Sequence, residues 1–130
     1  MKEIQIGRLR IGLSHPPCIV AELSGNHNGS LQRALKMVEK AKQVGCHAIK
    51  LQTYTPDTIT LDVRGGEFLI QDEESLWNNR NLYDLYQEAY TPWEWHQPIF
   101  DHCHRLGIEV FSSPFDETAV DFLEALRVPC

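Results

Sequence analysis

Val20-Ala21-Glu22-Leu23-Ser24-Gly25-Asn26-His27-Asn28-Gly29-Ser30 decides the fold. A short apolar strand delivers one carboxylate, Glu22, into a turn rich in Gly and Asn. Ser30 then stands where an N-cap belongs, ahead of Leu31, Leu35, Val38 and Ala41 at helical spacing, and Gly45 closes that helix. This is the layout of a βα unit whose ligand site lies at the carboxyl end of its strand, where loops converge on one mouth.

Two further units share the design. Ala48 to Thr53 forms a second buried strand ending in Lys50 and Gln52, and Ile108 to Ser112 a third, delivering Ser112 and Ser113. Thr91-Pro92 supplies an N-cap and a first-turn proline for a helix running through Trp95, Ile99 and Cys103 to Leu106 before Gly107. Asp116 or Glu117 opens a last helix through Val120, Phe122, Leu123 and Leu126. Upstream, Ile4 to Ile6 and Leu9 to Leu13 flank Gly7-Arg8 as a small hairpin. Between Pro56 and Arg80 runs a long polar excursion with Gly65-Gly66, Asp72-Glu73-Glu74 and Trp77-Asn78-Asn79, the kind of loop that is either a functional lid or a disordered insert. Leu82, Leu85, Tyr86 and Ala89 then suggest a short helix.

Hairpin, then three strand-and-helix units, then the start of a fourth strand specify an α/β fold with a parallel sheet. Three parallel strands leave faces and edges uncovered, so the expected architecture is a partial (β/α)8 barrel. A complete barrel takes about 250 residues, which makes this chain roughly half of one.

The 130 residues are 42% hydrophobic and 23% charged, an ordinary globular composition of about one domain. A net charge of -6 argues against nucleic-acid or membrane-surface binding, which need a positive field. With no leader-like amino terminus and no long apolar run, the sequence reads as cytoplasmic. Cys18, Cys46, Cys103 and Cys130 form no Cys-x-x-Cys pair and read as reduced structural thiols.

Lys50 at the end of an apolar strand needs solvent or an anion, because a buried unpaired ammonium costs several kcal/mol. From the residues alone, a ligand anion and an ion pair with Glu22 or a helix dipole remain open. Glu22 can position a substrate, act as acid or base, or hold Lys50 in a salt bridge. Gln52 shares a face with Lys50 because strand side chains alternate; it suits a neutral ligand contact or a plain internal hydrogen bond. His27 beside two Asn is not a metal set and reads as a loop hydrogen-bonding residue. His102 and His104, two apart on a helix, face different ways and cannot share a metal. With His96 they read as helix surface or packing residues, and Trp93 and Trp95 read as packing the helix after Thr91 onto the rest of the fold.

Ala21-Glu22, Gly25-Asn26-His27-Asn28-Gly29, Lys50-Leu51-Gln52-Thr53 and Phe111-Ser112-Ser113-Pro114-Phe115, in this order and spacing, resemble the amino-terminal half of the sialic acid synthase family. Leu82 to Tyr86 followed by Ala89 to His96 resembles the branch that makes a bacterial nonulosonic acid from a diacetamido sugar. The resemblance implies a barrel enzyme that condenses phosphoenolpyruvate with an open-chain amino sugar and releases phosphate. N-acetylneuraminic or legionaminic acid synthesis is the alternative within the family, and a non-catalytic half-barrel that associates with a partner the alternative outside it.

By the same resemblance Glu22 is the catalytic or positioning carboxylate, Lys50 binds phosphoenolpyruvate with Ser112 and Ser113, and Gln52 contacts sugar or phosphate. Asn78, with Trp77, Asn79 and Arg80, becomes a candidate for the N-acetyl groups, a solvent-facing loop being the other reading. The resemblance also implies a divalent metal, manganese or magnesium, and a homodimer. Its metal histidines, a second phosphoenolpyruvate lysine and an antifreeze-like capping domain come from later sequence, so no metal ligand is expected in this chain. Residues 1–130 are accordingly expected to be the amino-terminal portion of such a barrel, inactive alone.

Overall fold

The computed structural model describes residues 3–130. An antiparallel hairpin, β1 (Ile4–Ile6) and β2 (Leu9–Ile11), precedes β3 (Val20–Glu22), α1 (Leu31–Gln43), β4 (Ala48–Thr53), α2 (Pro56–Ile59), α3 (Leu82–Ala89), α4 (His96–Leu106), β5 (Glu109–Pro114) and α5 (Glu117–Ala125). Strands β3, β4 and β5 form a parallel sheet in that order. The α/β fold with a parallel sheet follows the sequence expectation.

The register sorts the sheet into two faces. Lys50 lies between Glu22 and Phe111, and Gln52 lies beside Ser113. Alternation therefore puts Glu22, Lys50, Gln52, Phe111 and Ser113 on one face and Ala21, Ile49, Leu51, Thr53, Val110 and Ser112 on the other. The second face carries the core: Ile49, Leu51 and Val110 pack with Ala34 and Val38 of α1, Ile99 and Cys103 of α4, and Leu123 of α5. Burying this apolar set is what fixes the register, since a slip of one residue would turn Lys50 and Gln52 into the helices.

Capping explains where the helices stop and start. Ser30 accepts a hydrogen bond from the Arg33 amide to open α1. At its far end the Gly45 amide donates to the Lys42 carbonyl and the Cys46 amide to Ala41, with Gly45 at φ 92. Gly107 closes α4 in the left-handed region, and Asp116 opens α5 by accepting from the Thr118 and Ala119 amides.

One boundary differs from expectation. Thr91-Pro92 does not cap α4: Pro92 has ψ 135, a short 3-10 turn covers Trp93–Trp95, and α4 begins at His96. Thr91 is buried instead, its hydroxyl 3.4 Å from the His27 ring, so a tertiary partner claims the side chain that local sequence would assign to a cap.

The hairpin is attached to the amino-terminal end of β5. Arg8 reaches Glu109 through Nε at 2.6 Å and through its backbone amide at 3.2 Å. Gly7 is required there: its φ is 55, and a Cβ would sit 2.3 Å from the Glu109 carboxylate. A charged residue at the start of β5 is thereby paired.

Beside β5, an edge of the sheet, lies a 580 Å³ cleft whose lining includes Phe111, Val120, Leu123 and Val128. Among the described residues no helix is long and apolar enough to cross a membrane.

Candidate active site

Three adjacent strand ends bring four of the sequence-picked side chains together. Glu22, Lys50, Gln52 and Ser113 stand on one sheet face at the carboxyl ends of β3, β4 and β5. Lys50 Nζ donates to Glu22 Oε1 at 2.7 Å, so the ion pair left open by the sequence is formed. Both partners remain in contact with solvent, the side chains being 30% and 58% exposed. An ammonium has three protons. Glu22 takes one of them, which orients the group and leaves it able to receive an anion from the open face.

Next to Gln52 is a 280 Å³ cavity. Asn26 and Asn28 of the β3–α1 loop contribute one wall, Tyr54 continues from Gln52, and Trp77 and Tyr86 supply aromatic surface. The loop is held by its histidine. His27 is buried, its Nδ1 accepts from the Gly29 amide at 3.2 Å, Nε2 lies 3.4 Å from Thr91 Oγ1, and Trp95 meets the ring edge-on at 5.4 Å. Burial pushes the imidazole pKa down. A neutral ring with both nitrogens in use is a peg for the loop, in keeping with the hydrogen-bonding role expected of it. Asn28 at φ 50 and Gly29 at φ 67 make the reversal, residues for which the left-handed region is least costly. Gly25 packs closely: its Cβ would lie 3.0 Å from both the side chain and the carbonyl oxygen of Ala89.

Ser112 must be separated from this group. It faces the helices, buried, and its hydroxyl is 2.6 Å from Thr53 Oγ1, which is 2.8 Å from His96 Nε2. Of two consecutive strand hydroxyls only one can share a face with Lys50, and the register selects Ser113. His96, picked as surface or packing, is a buried member of this polar chain, and burial holds its pKa down. Asn78 is not brought to the cavity either: its side-chain oxygen accepts from the Asp72 amide at 3.2 Å, and its neighbour Trp77 faces the cavity.

Sequence reasoning passed over Tyr54, Tyr86 and Glu88, which also line the cavity. Tyr54 extends the alternation of Lys50 and Gln52 by one more step, a signal present in the sequence. Burial pushes its phenol up to about 12, so the hydroxyl stays protonated. Tyr86 and Glu88 had no such signal, because helical spacing marks a face without saying what it faces. Among the described residues no three His, Cys, Asp or Glu side chains converge as a metal site. His102 instead contacts Glu39 at 3.1 Å.

The chain is similar to known proteins. The profile of the NeuB family matches residues 37–130. A pseudaminic acid synthase of Campylobacter jejuni is 51% identical over 106 residues, 82% of this chain and 30% of the relative. One from Helicobacter pylori is 46% identical over 114 residues, 88% of this chain and 33% of the relative. The chain thus spans about a third of the length of these curated relatives. A crystal structure of an N-acetylneuraminic acid synthetase from Leptospira borgpetersenii, in complex with citrate, matches with TM-score 0.76 and 28% identity, covering 98% of this chain and 39% of that one.

Proposed function

The chain belongs to the NeuB family, and from that premise we propose that it supplies the amino-terminal βα units of a (β/α)8 barrel acting as a pseudaminic acid synthase. The reaction joins phosphoenolpyruvate to 2,4-diacetamido-2,4,6-trideoxy-altropyranose. The methylene carbon of phosphoenolpyruvate forms a bond to the open-chain aldehyde carbon, whose oxygen takes up a proton to become a hydroxyl; water adds at the carbon that bore the phosphate and gives up its protons as that carbon becomes a ketone, and phosphate departs with the bridging oxygen. The observation that carries this reading is the placement of Glu22, Lys50, Gln52 and Ser113 on one face at three neighbouring strand ends. Higher identity to the pseudaminic acid synthases than to the N-acetylneuraminic acid synthetase favours the diacetamido acceptor.

In this reading Lys50 receives the charged groups of phosphoenolpyruvate and Ser113 donates a hydroxyl hydrogen bond to the same anion. Glu22 orients the ammonium through its 2.7 Å contact and directs the sugar toward the enol carbon. Gln52 stands beside Ser113 and also lines the cavity, so it spans the two substrates. The divalent metal implied by the family resemblance would be held by the histidines expected from later sequence; among the described residues no ligand group converges, and none of these roles depends on it.

A chimera tests the proposal: this chain's aligned segment replaces the matching segment of the Campylobacter jejuni synthase. The chimera is expected to form pseudaminic acid and phosphate in equal amounts from the two substrates, and Lys50→Met to suppress both. A folded chimera that makes no product, or one whose turnover is indifferent to Lys50, refutes it.

A further inference from the structure

The polar excursion is an ordered lobe with one aromatic tip. The Ile70 amide donates to the Arg80 carbonyl at 3.0 Å, the Asn79 amide returns to Ile70 at 2.8 Å, and Leu69 bridges Asn81 beneath them. Asn79 takes φ 63 to make the turn. Closing the lobe this way presents Trp77, 38% exposed, to the cavity beside Gln52. Arg80 lies against it: its guanidinium is 5.6 Å from the Trp77 ring centroid and donates to Glu88 of α3 at 2.6 Å.

Apart from Glu88, which is paired with Arg80, the lining suits a neutral amide bearing a methyl group. Trp77, Tyr54 and Tyr86 give aromatic surface, the two tyrosines meeting edge to face at 5.7 Å, and Leu85 and Ala89 add aliphatic surface. Asn26, Asn28 and Gln52 offer side-chain amides that both donate and accept. Glu88 also lines the cavity, its carboxylate accepting from Arg80 at 2.6 Å, and Lys50 is not among the lining residues, so the lining carries a negative charge and no cation to receive phosphate or carboxylate. At 280 Å³ the space is at or below the small end of the range for small-molecule sites, about 300–1,000 Å³, and holds one end of a sugar.

We propose that this cavity selects the acceptor, taking the second acetamido group that a diacetamido sugar carries and a monoacetamido sugar lacks. Trp77 and Tyr86 grip the methyl, the Asn and Gln amides meet the amide, and Arg80 is a positioning residue for Trp77. The inference rests on the synthase reading, and Gln52, shared between cavity and strand-end group, sets the pocket beside the reacting groups.

The test pairs kinetics with binding. In the chimera described above, Trp77→Ala is expected to lower kcat/KM for the diacetamido sugar by about 10- to 100-fold. Turnover of an analogue with a hydroxyl in place of the second acetamido group, and the KM for phosphoenolpyruvate, should stay unchanged. Arg80→Gln should raise the KM for the diacetamido sugar with kcat retained, and Arg80→Lys should recover part of the loss. In the 130-residue chain, saturation transfer to the acetamido methyl protons of the free diacetamido sugar should be present and should vanish in Trp77→Ala. Equal losses on both sugars, or methyl transfer that survives Trp77→Ala, overturn the pocket. An inactive chimera together with Trp77-dependent methyl transfer upholds the pocket and removes the synthase reading; an active chimera without methyl transfer does the reverse.

Discussion

Lys50→Met distinguishes a lysine that holds the fold from one that holds a ligand. Methionine keeps an unbranched apolar stem, so the change removes the ammonium while preserving most of the packing. The Glu22 contact at 2.7 Å is short, but with side chains 30% and 58% exposed the pair sits in the regime where ion pairs contribute about 0.2–1 kcal/mol. Urea unfolding of the chain, followed by circular dichroism, should therefore show a loss of about 1 kcal/mol or less, and Glu22→Gln should show no more. Against a bound anion the same ammonium offers charge-assisted hydrogen bonds of about 1.5–3 kcal/mol each. Losing two of them amounts to about 3–6 kcal/mol, or roughly 10²- to 10⁴-fold in kcat/KM for phosphoenolpyruvate. The assay is steady-state phosphate release by the chimera across a phosphoenolpyruvate titration, with unfolding measured in parallel. A stability loss above about 3 kcal/mol with less than a tenfold kinetic effect would refute the argument and make the pair structural.

Three further outcomes follow from the same geometry. Ser112→Ala should cost about 1–2 kcal/mol of stability, because Thr53 loses a buried partner at 2.6 Å, and leave phosphoenolpyruvate kinetics unchanged, whereas Ser113→Ala should do the reverse; matching effects from both would show that the face assignment is wrong. Gly7→Ala should destabilise by about 1–2 kcal/mol through its φ of 55 alone, with the Glu109 carboxylate forced off Arg8 in addition, so hydrogen exchange should rise at the Arg8 amide; unchanged protection there would count against the hairpin contact. Burial holds His96 and His27 below the ordinary histidine value of 6.5, so the folded state keeps both neutral where the unfolded chain binds protons. Their stabilising contribution is complete above that value and is lost as pH falls from it through the folded-state values; urea midpoints should drop as the pH is lowered below about 6.5, and His96→Asn should flatten the slope, a slope unaffected by the substitution being the contrary result.

Local sequence chemistry carried a large part of the fold. Ser30, Gly45, Gly107 and Asp116 mark helix ends through groups that act within one turn, and all four act there in the structure. The apolar run Ala48 to Thr53 is the buried strand it looked like. Where a side chain had a distant competitor, local reading failed. Thr91 had the credentials of a cap but serves His27, 64 residues away in sequence. His96, expected as a surface or packing residue, proves to be a packing one, buried against Thr53, a choice that local sequence left open.

The candidate site divides the same way. Strand alternation placed Lys50 and Gln52 on a common face from sequence alone, and an ion pair of Lys50 with Glu22 was one of the alternatives the sequence left open. Which of Ser112 and Ser113 joins them depended on the register between β4 and β5, a property of two segments some 60 residues apart that is set by burying Ile49, Leu51 and Val110 together. Which residue of the polar excursion reaches the site depended on how that lobe closes: the hydrogen bonds between Ile70 and the Asn79-Arg80 pair turn Trp77 toward the cavity and keep Asn78 with Asp72. The sequence by itself determined the elements, their order and the inner-face pattern of each strand, since those follow from period and capping over a few residues. Only the tertiary structure decided which side chains meet, because meeting is fixed by the packing of segments whose separation along the chain carries no geometric information.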